Sequence, residues 1–199
     1  MASPRLRAIT AHYTKQHRAP AEQELAYFRL LPTDEDAVSK AALAQRSDGK
    51  RHSHQCLVPL TALRESRRRL LENLPALQGA SSFDELFELV EALIRPIYGI
   101  GELAVYDTAL RIGERLGLEP TKVYLHRGTR EGAKALGLAY RRKAIELAEL
   151  PTELRSLPAR ELEDVLCIYK DEFTGRRHRL PRGGPAHRCL PDEQAPRRC

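Results

Sequence analysis

The chain has 199 residues, of which 30% are charged and 6% aromatic, and it contains no tryptophan. Its formal net charge is +6, and no stretch approaches the roughly 20 apolar residues of a membrane-spanning helix. The first residues lack the apolar run of a signal peptide, so we expect a cytoplasmic protein with no membrane association.

The positive charge is concentrated at one end of the chain. Residues 174–199 contain seven arginines and two acids, which leaves the preceding part of the chain with a net charge of only +1. The same segment is rich in proline and glycine and poor in apolar residues, a composition typical of disorder. The sequence therefore predicts a disordered basic tail over 174–199. Charge alone does not establish a nucleic-acid partner for the rest.

Leucine, alanine, glutamate and arginine recur through the remaining residues, which favours helix over strand. The first helical region shows an interruption near Pro20 and places Leu25, Phe28 and Leu31 on one face. Thr33 and Ser82 are predicted helix caps. The predicted helices span about 3–31, 34–45, 60–74, 83–97, 102–117, 128–150 and 159–173, with a turn or short helix at 151–158 and a short β-rich connection at 121–127. We predict an all-α domain of about eight helices over residues 1–173.

Two glycines, Gly99 and Gly101, interrupt the helical pattern between the helices of the hairpin at 83–117. Each costs roughly 1 kcal/mol inside a helix, so the pair indicates a corner. The first amides of the second helix have no intrahelical partner, and a glycine lets a ligand approach them. Such a corner suits one phosphate, with Ile100 packed inward as its anchor.

The corner resembles the helix-hairpin-helix motif, in which an apolar residue, glycine, apolar residue and glycine precede an amphipathic helix. Ile97-Tyr98-Gly99-Ile100-Gly101 fits that pattern. The similarity extends over about 98–137 to the helix-hairpin-helix DNA glycosylase superfamily, because a glycine-containing loop, the pair Val123-Tyr124 and another helix follow. The resemblance implies a glycosylase-like helical domain with the hairpin at the DNA.

The catalytic residues of that superfamily do not carry over. The resemblance implies an aspartate after the Val-Tyr segment, but Leu125-His126-Arg127-Gly128 contains none, and the lysine nucleophile of bifunctional members is replaced by Leu103. Asp107 and His126 are the two remaining catalytic candidates. Their alternatives are an ion pair of Asp107 with Arg111 and a polar loop position for His126.

Other polar clusters have both functional and ordinary interpretations. Arg64, Arg67 and Arg68 form part of a basic helix face that suits DNA phosphates or is simply solvated. Arg127 and Arg130, at the start of a later helix, suit a phosphate or an acidic ligand. The four cysteines are scattered, so we expect free thiols. We expect no cofactor and no metal; the cluster of His52, His54 and Cys56 is the one arrangement that suggests zinc, with a polar surface loop as its alternative.

These features predict a DNA-binding protein that contacts mainly phosphates. The expected nucleic-acid-binding residues are Tyr98, Gly99, Ile100, Gly101, Glu102, Arg127, Arg130, Arg64, Arg67 and Arg68. Two alternatives stay open: a divergent DNA glycosylase or lyase that uses Asp107 or His126, and a non-enzymatic module that binds another protein.

Overall fold

Helices account for most of the chain in the computed structural model, which describes residues 3–174. These residues form ten α-helices and two three-residue strands, which confirms the all-α prediction. The helices are α1 Pro4–Gln16, α2 Arg18–Arg29, α3 Asp34–Ala42, α4 Leu60–Glu72, α5 Leu74–Gln78, α6 Phe83–Ile94, α7 Glu102–Leu116, α8 Arg127–Ala135, α9 Ala159–Ile168 and α10 Lys170–Phe173. The strands are β1 Lys122–Tyr124 and β2 Ala144–Glu146, and 3-10 turns lie at Ser53–Gln55 and Leu147–Glu149. The predicted tail lies, apart from Thr174, outside the described residues.

The described chain divides into two units. Residues 23–119 form one, which we call the hairpin unit, and residues 3–22 with 120–174 form the other, which we call the terminal unit. Helix α2 begins in the terminal unit and ends in the hairpin unit. The prediction of a single domain over 1–173 remains a prediction.

The core of the hairpin unit is built around α7, which packs against α3 and α6. Nearly all of α7 from Ala104 to Glu114 is buried. Helix α6 contributes five apolar side chains at helical spacing, namely Phe83, Leu86, Phe87, Val90 and Ile94. As predicted, Leu25, Phe28 and Leu31 are buried as well.

Local capping explains where the helices of this unit begin. The Thr33 hydroxyl accepts a hydrogen bond from the Asp36 N–H, and the Ser82 hydroxyl accepts one from the Glu85 N–H. Each bond satisfies one of the first amides of its helix. Both predicted caps are therefore confirmed.

The terminal unit packs α8, α10, β1 and α1 against α9. Its core is apolar and draws on residues far apart in sequence, such as Ile9, Val123, Ile145 and Leu166. Strand β1 pairs with β2 in antiparallel register, with Val123 opposite Ile145. This pairing places one apolar side chain of each strand in the core.

Three local predictions require correction. The break in the first helical region falls at His17, not Pro20, because proline is tolerated in the first turn of α2. The helix predicted over 128–150 stops at Ala135, where the Leu138 N–H donates to the Ala133 C=O in a helix-ending turn, and the later residues form β2. Cys56 carries a thiol, as expected, but Cys167 is disulfide-bonded, since sequence spacing does not reveal which cysteines meet.

Candidate nucleic-acid interface

The corner between α6 and α7 is a tight, partly exposed turn. Gly99 adopts a φ of +94°, a backbone conformation that side-chain-bearing residues rarely adopt. Ile100 is buried, whereas Tyr98 on the other side of Gly99 is 95% exposed. The predicted inward anchoring of Ile100 is confirmed.

The start of α4 lies against this corner. A Cβ on Gly99 would come within 3.0 Å of the Pro59 Cδ, so a side chain at position 99 meets both strain and a steric limit. On the other flank, the Arg95 Nη1 donates a 3.0 Å hydrogen bond to the Ile100 carbonyl. The corner is thus held from two sides.

Gly101 provides the open side of the corner. It precedes the first residue of α7 in an extended conformation, and it has no side chain with which to cap the helix. A Cβ built on it meets no atom within 4 Å, and Gly101 and Glu102 are both exposed. The first amides of the 15-residue α7 have no partner within the helix, and the helix dipole at this end favours an anion. Glu102, the first residue of α7, carries a negative charge that repels a phosphate at this helix start.

The basic face of α4 is less positive than its composition indicates. Arg68 forms ion pairs with Glu65 and Glu72, both at 2.7 Å, and the Arg69 Nε donates to Glu65 at 2.8 Å. Hydrogen bonds from Arg68 and then Arg69 lower the pKa of Glu65 to about 2. The structure therefore places Arg68 in an ion-pair network on the surface of α4.

Three arginines of the hairpin unit remain available to an anion. Arg64, Arg67 and Arg95 are exposed, and among residues 3–174 none of them forms an ion pair. Arg64 and Arg67 belong to α4, and Arg95 follows the last residue of α6 as its C-cap. These three arginines and the corner belong to the same unit, the hairpin unit.

Asp107 lies in a buried polar network instead of at the surface. Its Oδ2 accepts a 2.7 Å hydrogen bond from the His54 Nε2 and lies 3.4 Å from the Arg111 guanidinium. The Arg111 Nη1 donates to the Gln55 Oε1 at 3.0 Å, and its guanidinium sits 5.8 Å from the centre of the Phe28 ring. Asp107 is fully buried and Arg111 is 1% exposed. The expected alternative to catalysis, an ion pair with Arg111, is confirmed.

The two histidines of the candidate zinc cluster, His52 and His54, each contact a carboxylate of the hairpin unit. His54 binds Asp107, and the His52 Nδ1 lies 3.3 Å from a carboxylate oxygen of Glu24. Within the described part of the chain, no three histidine, cysteine, aspartate or glutamate side chains are placed to hold a metal ion.

The candidates from the later segment belong to the terminal unit. His126 is buried and caps α8: its Nδ1 accepts from the Gly128 N–H, and its Nε2 bonds to the Glu163 Oε1 at 2.5 Å. His126 therefore lies in the short loop between β1 and α8, as its non-catalytic alternative predicted, and it is buried there as the cap of α8. Arg127 is exposed, whereas the Arg130 Nη1 donates to the carbonyls of Tyr140 and Arg142 and orders the chain after α8.

Sequence reasoning missed three features of this region. Arg95 was not singled out, although a cation in the last turn of a helix often binds nearby carbonyls. The balancing of Arg68 was readable from the sequence, since Glu65 and Glu72 stand three and four residues away. The pairing of His54 with Asp107 has no sequence signal, because it joins residues 53 positions apart.

The described residues define an all-α protein with an exposed helical corner. No family model matches the chain, and neither does a curated protein or a solved structure. Among residues 3–174, no α-helix combines the length and the apolar character that crossing a bilayer requires.

Proposed function

We propose that the protein binds DNA by gripping the phosphate backbone at a helix-hairpin-helix formed by α6, the corner and α7. The observation that carries this proposal is Gly101, which is exposed, faces open space and precedes a 15-residue helix. Backbone amides at such a helix start bind phosphate oxygens without reading bases.

Exposed arginines of each unit, taken separately, support the same proposal. Arg64, Arg67 and Arg95 supply exposed cations in the hairpin unit, and Arg127 supplies another in the terminal unit. Binding through phosphates releases condensed counterions, so the affinity is expected to fall steeply with salt. Sequence preference is expected to be weak.

We do not extend the proposal to base excision. Asp107 is fully buried between His54 and Arg111, and His126 is buried against Glu163. Neither carboxylate nor imidazole reaches a surface where a base would lie in this structure. The alternative function is a module that binds another protein, and a DNA-binding measurement at low salt distinguishes the two functions.

We propose a cytoplasmic location together with a DNA partner.

The test compares two glycine variants in binding a short duplex. Gly101→Leu places a side chain in the open space beside the start of α7, whereas Gly79→Leu makes the same change at an exposed glycine that ends α5. Each lost hydrogen bond to a charged group is worth about 1.5–3 kcal/mol, so Gly101→Leu is expected to weaken binding about tenfold or more. Gly79→Leu is expected to bind as the wild type does.

Fluorescence anisotropy at low and moderate salt measures both affinities, and circular dichroism checks that both variants fold. Equal binding by the two variants contradicts the proposed grip. Absence of wild-type binding at low salt favours the protein-binding alternative.

A further inference from the structure

Tyr98 is the most exposed large hydrophobic side chain in the described part of the molecule. Its exposed fraction is 95%, against 76% for Leu57 and 45% for Leu60. Leu57 and Leu60 flank Pro59, which lies against Gly99. Burial of an aromatic ring is strongly favourable, so a partner that covers Tyr98 gains free energy from it.

The backbone on both sides of Tyr98 is held by hydrogen bonds and packing. On its N-terminal side, the Ile97 N–H donates to the Ile94 carbonyl at 3.0 Å. On its C-terminal side, Gly99 turns the chain and the buried Ile100 is bonded through its carbonyl to Arg95. Because the backbone of this turn is already ordered, binding through Tyr98 costs little backbone entropy, which favours affinity.

The neighbours of the ring suit a nucleic acid more than a protein. Tyr98 precedes the open helix start at Gly101 by three residues and follows the exposed cation Arg95 by three. Proteins that bind single strands combine such backbone-holding groups with an aromatic ring on which a base stacks. A single exposed ring offers far less area than the roughly 800 Å² per partner that a stable protein interface buries.

We propose that Tyr98 stacks on an unpaired base of a single-stranded DNA segment whose phosphate is held at Gly101. This inference rests on the proposed function, to which it adds the kind of DNA preferred. In a duplex each base face is covered by its neighbours, so the ring has no face to stack on. The protein is therefore expected to bind single strands more tightly than duplexes of the same length at matched salt.

The first test compares Tyr98→Leu with Tyr98→Phe in binding an oligothymidine strand and a duplex. Stacking on one base is worth about 1–3 kcal/mol, so Tyr98→Leu is expected to lose about five- to a hundredfold in affinity for the single strand. Duplex binding is expected to change little, and Tyr98→Phe is expected to retain single-strand binding because it keeps the ring. The salt dependence of Tyr98→Leu is expected to match that of the wild type, since the ring carries no charge.

The second test uses the absence of tryptophan from the sequence. Tyr98→Trp places the protein's single tryptophan at the corner, and its emission, excited selectively over that of the tyrosines, is expected to be quenched when the oligothymidine binds. Leu30→Trp is the matched control, because Leu30 is 80% exposed in the same unit. Its emission is expected to change little.

The outcomes separate this inference from the proposed function. If Tyr98→Leu binds the single strand as the wild type does, or if the emission of the Tyr98→Trp variant is unchanged on binding, stacking is refuted while the grip at Gly101 stands on its own test. Equal losses on single strand and duplex also refute stacking on an unpaired base. If the wild type binds neither nucleic acid at low salt, the proposed function fails and the inference fails with it.

Discussion

The buried network around Asp107 allows the effect of one substitution to be worked out from its contacts. Asp107→Ala removes the carboxylate that bonds to His54 and pairs with Arg111. Arg111 is 1% exposed, so the substitution leaves a charge buried without its carboxylate partner. Breaking a buried pair in this way costs about 3–5 kcal/mol of the free energy of unfolding.

A loss of this size is a large part of the roughly 5–15 kcal/mol that keeps a domain folded. For a unit of this size, each kilocalorie lowers the melting temperature by about 4–8 °C, so we expect a decrease of at least about 12 °C. Urea denaturation followed by circular dichroism measures the free energy directly. Glu88→Ala, an exposed change on α6, is the control and is expected to stay within about 0.5 kcal/mol of the wild type.

The double variant Asp107→Leu/Arg111→Met tests the physical reason. It replaces both charges by apolar groups, which is often far less costly than leaving one charge unpaired. We therefore expect the double variant to be more stable than Asp107→Ala. A single-variant loss below about 1 kcal/mol, or a double variant that is less stable than the single one, would refute the assignment of Asp107 as the partner of a buried Arg111.

Three further predictions concern the corner and the terminal unit. Gly99→Ala is expected to lower the free energy of unfolding by about 1–3 kcal/mol, because the φ of Gly99 is +94° and Pro59 lies close to it. Gly101→Ala is the control and is expected to be nearly neutral. Urea denaturation midpoints compare the two variants, and equal stabilities would contradict the expected strain at Gly99. Glu102→Gln is expected to tighten duplex binding at low salt and to lose this advantage at high salt, as read by anisotropy; weaker binding would show that the acid does not oppose the phosphate. His17 is buried with neither ring nitrogen hydrogen-bonded in the described residues, and burial, then His12, lowers its pKa below 6.5. Below about pH 6.5 the unfolded chain thus binds more protons than the folded chain, so the stability of the wild type is expected to decrease as the pH is lowered. His17→Phe keeps a ring beside Tyr13 and is expected to reduce that decrease. An identical pH profile of the two proteins would contradict this prediction.

Features set by neighbouring residues were predictable from the sequence. The caps at Thr33 and Ser82 and the corner at Gly99 all depend on residues a few positions apart, and the structure has them where the sequence predicted. The inward Ile100 follows from the same local pattern. Short-range chemistry is sufficient for these elements because their defining hydrogen bonds and dihedrals are local.

Features set by distant contacts were not predictable. After Arg127 the composition still favours helix beyond Ala135, but α8 ends there, and Ala144–Glu146 form β2 and pair with β1. Likewise, Asp107 looked available for catalysis until the fold brought His54 and Arg111 to it. No periodicity in the sequence marks either contact, because each depends on packing between segments far apart in the chain.

The most direct test of the proposed function is an amide chemical-shift titration of the uniformly labelled protein with a short DNA duplex. If the hairpin grips a phosphate, the largest shifts are expected at the backbone amides of Gly101, Glu102 and Leu103, which open α7. The amide of Gly79, at the end of α5, is expected to be unchanged. Saturable binding with no shift at the three corner amides would contradict the account.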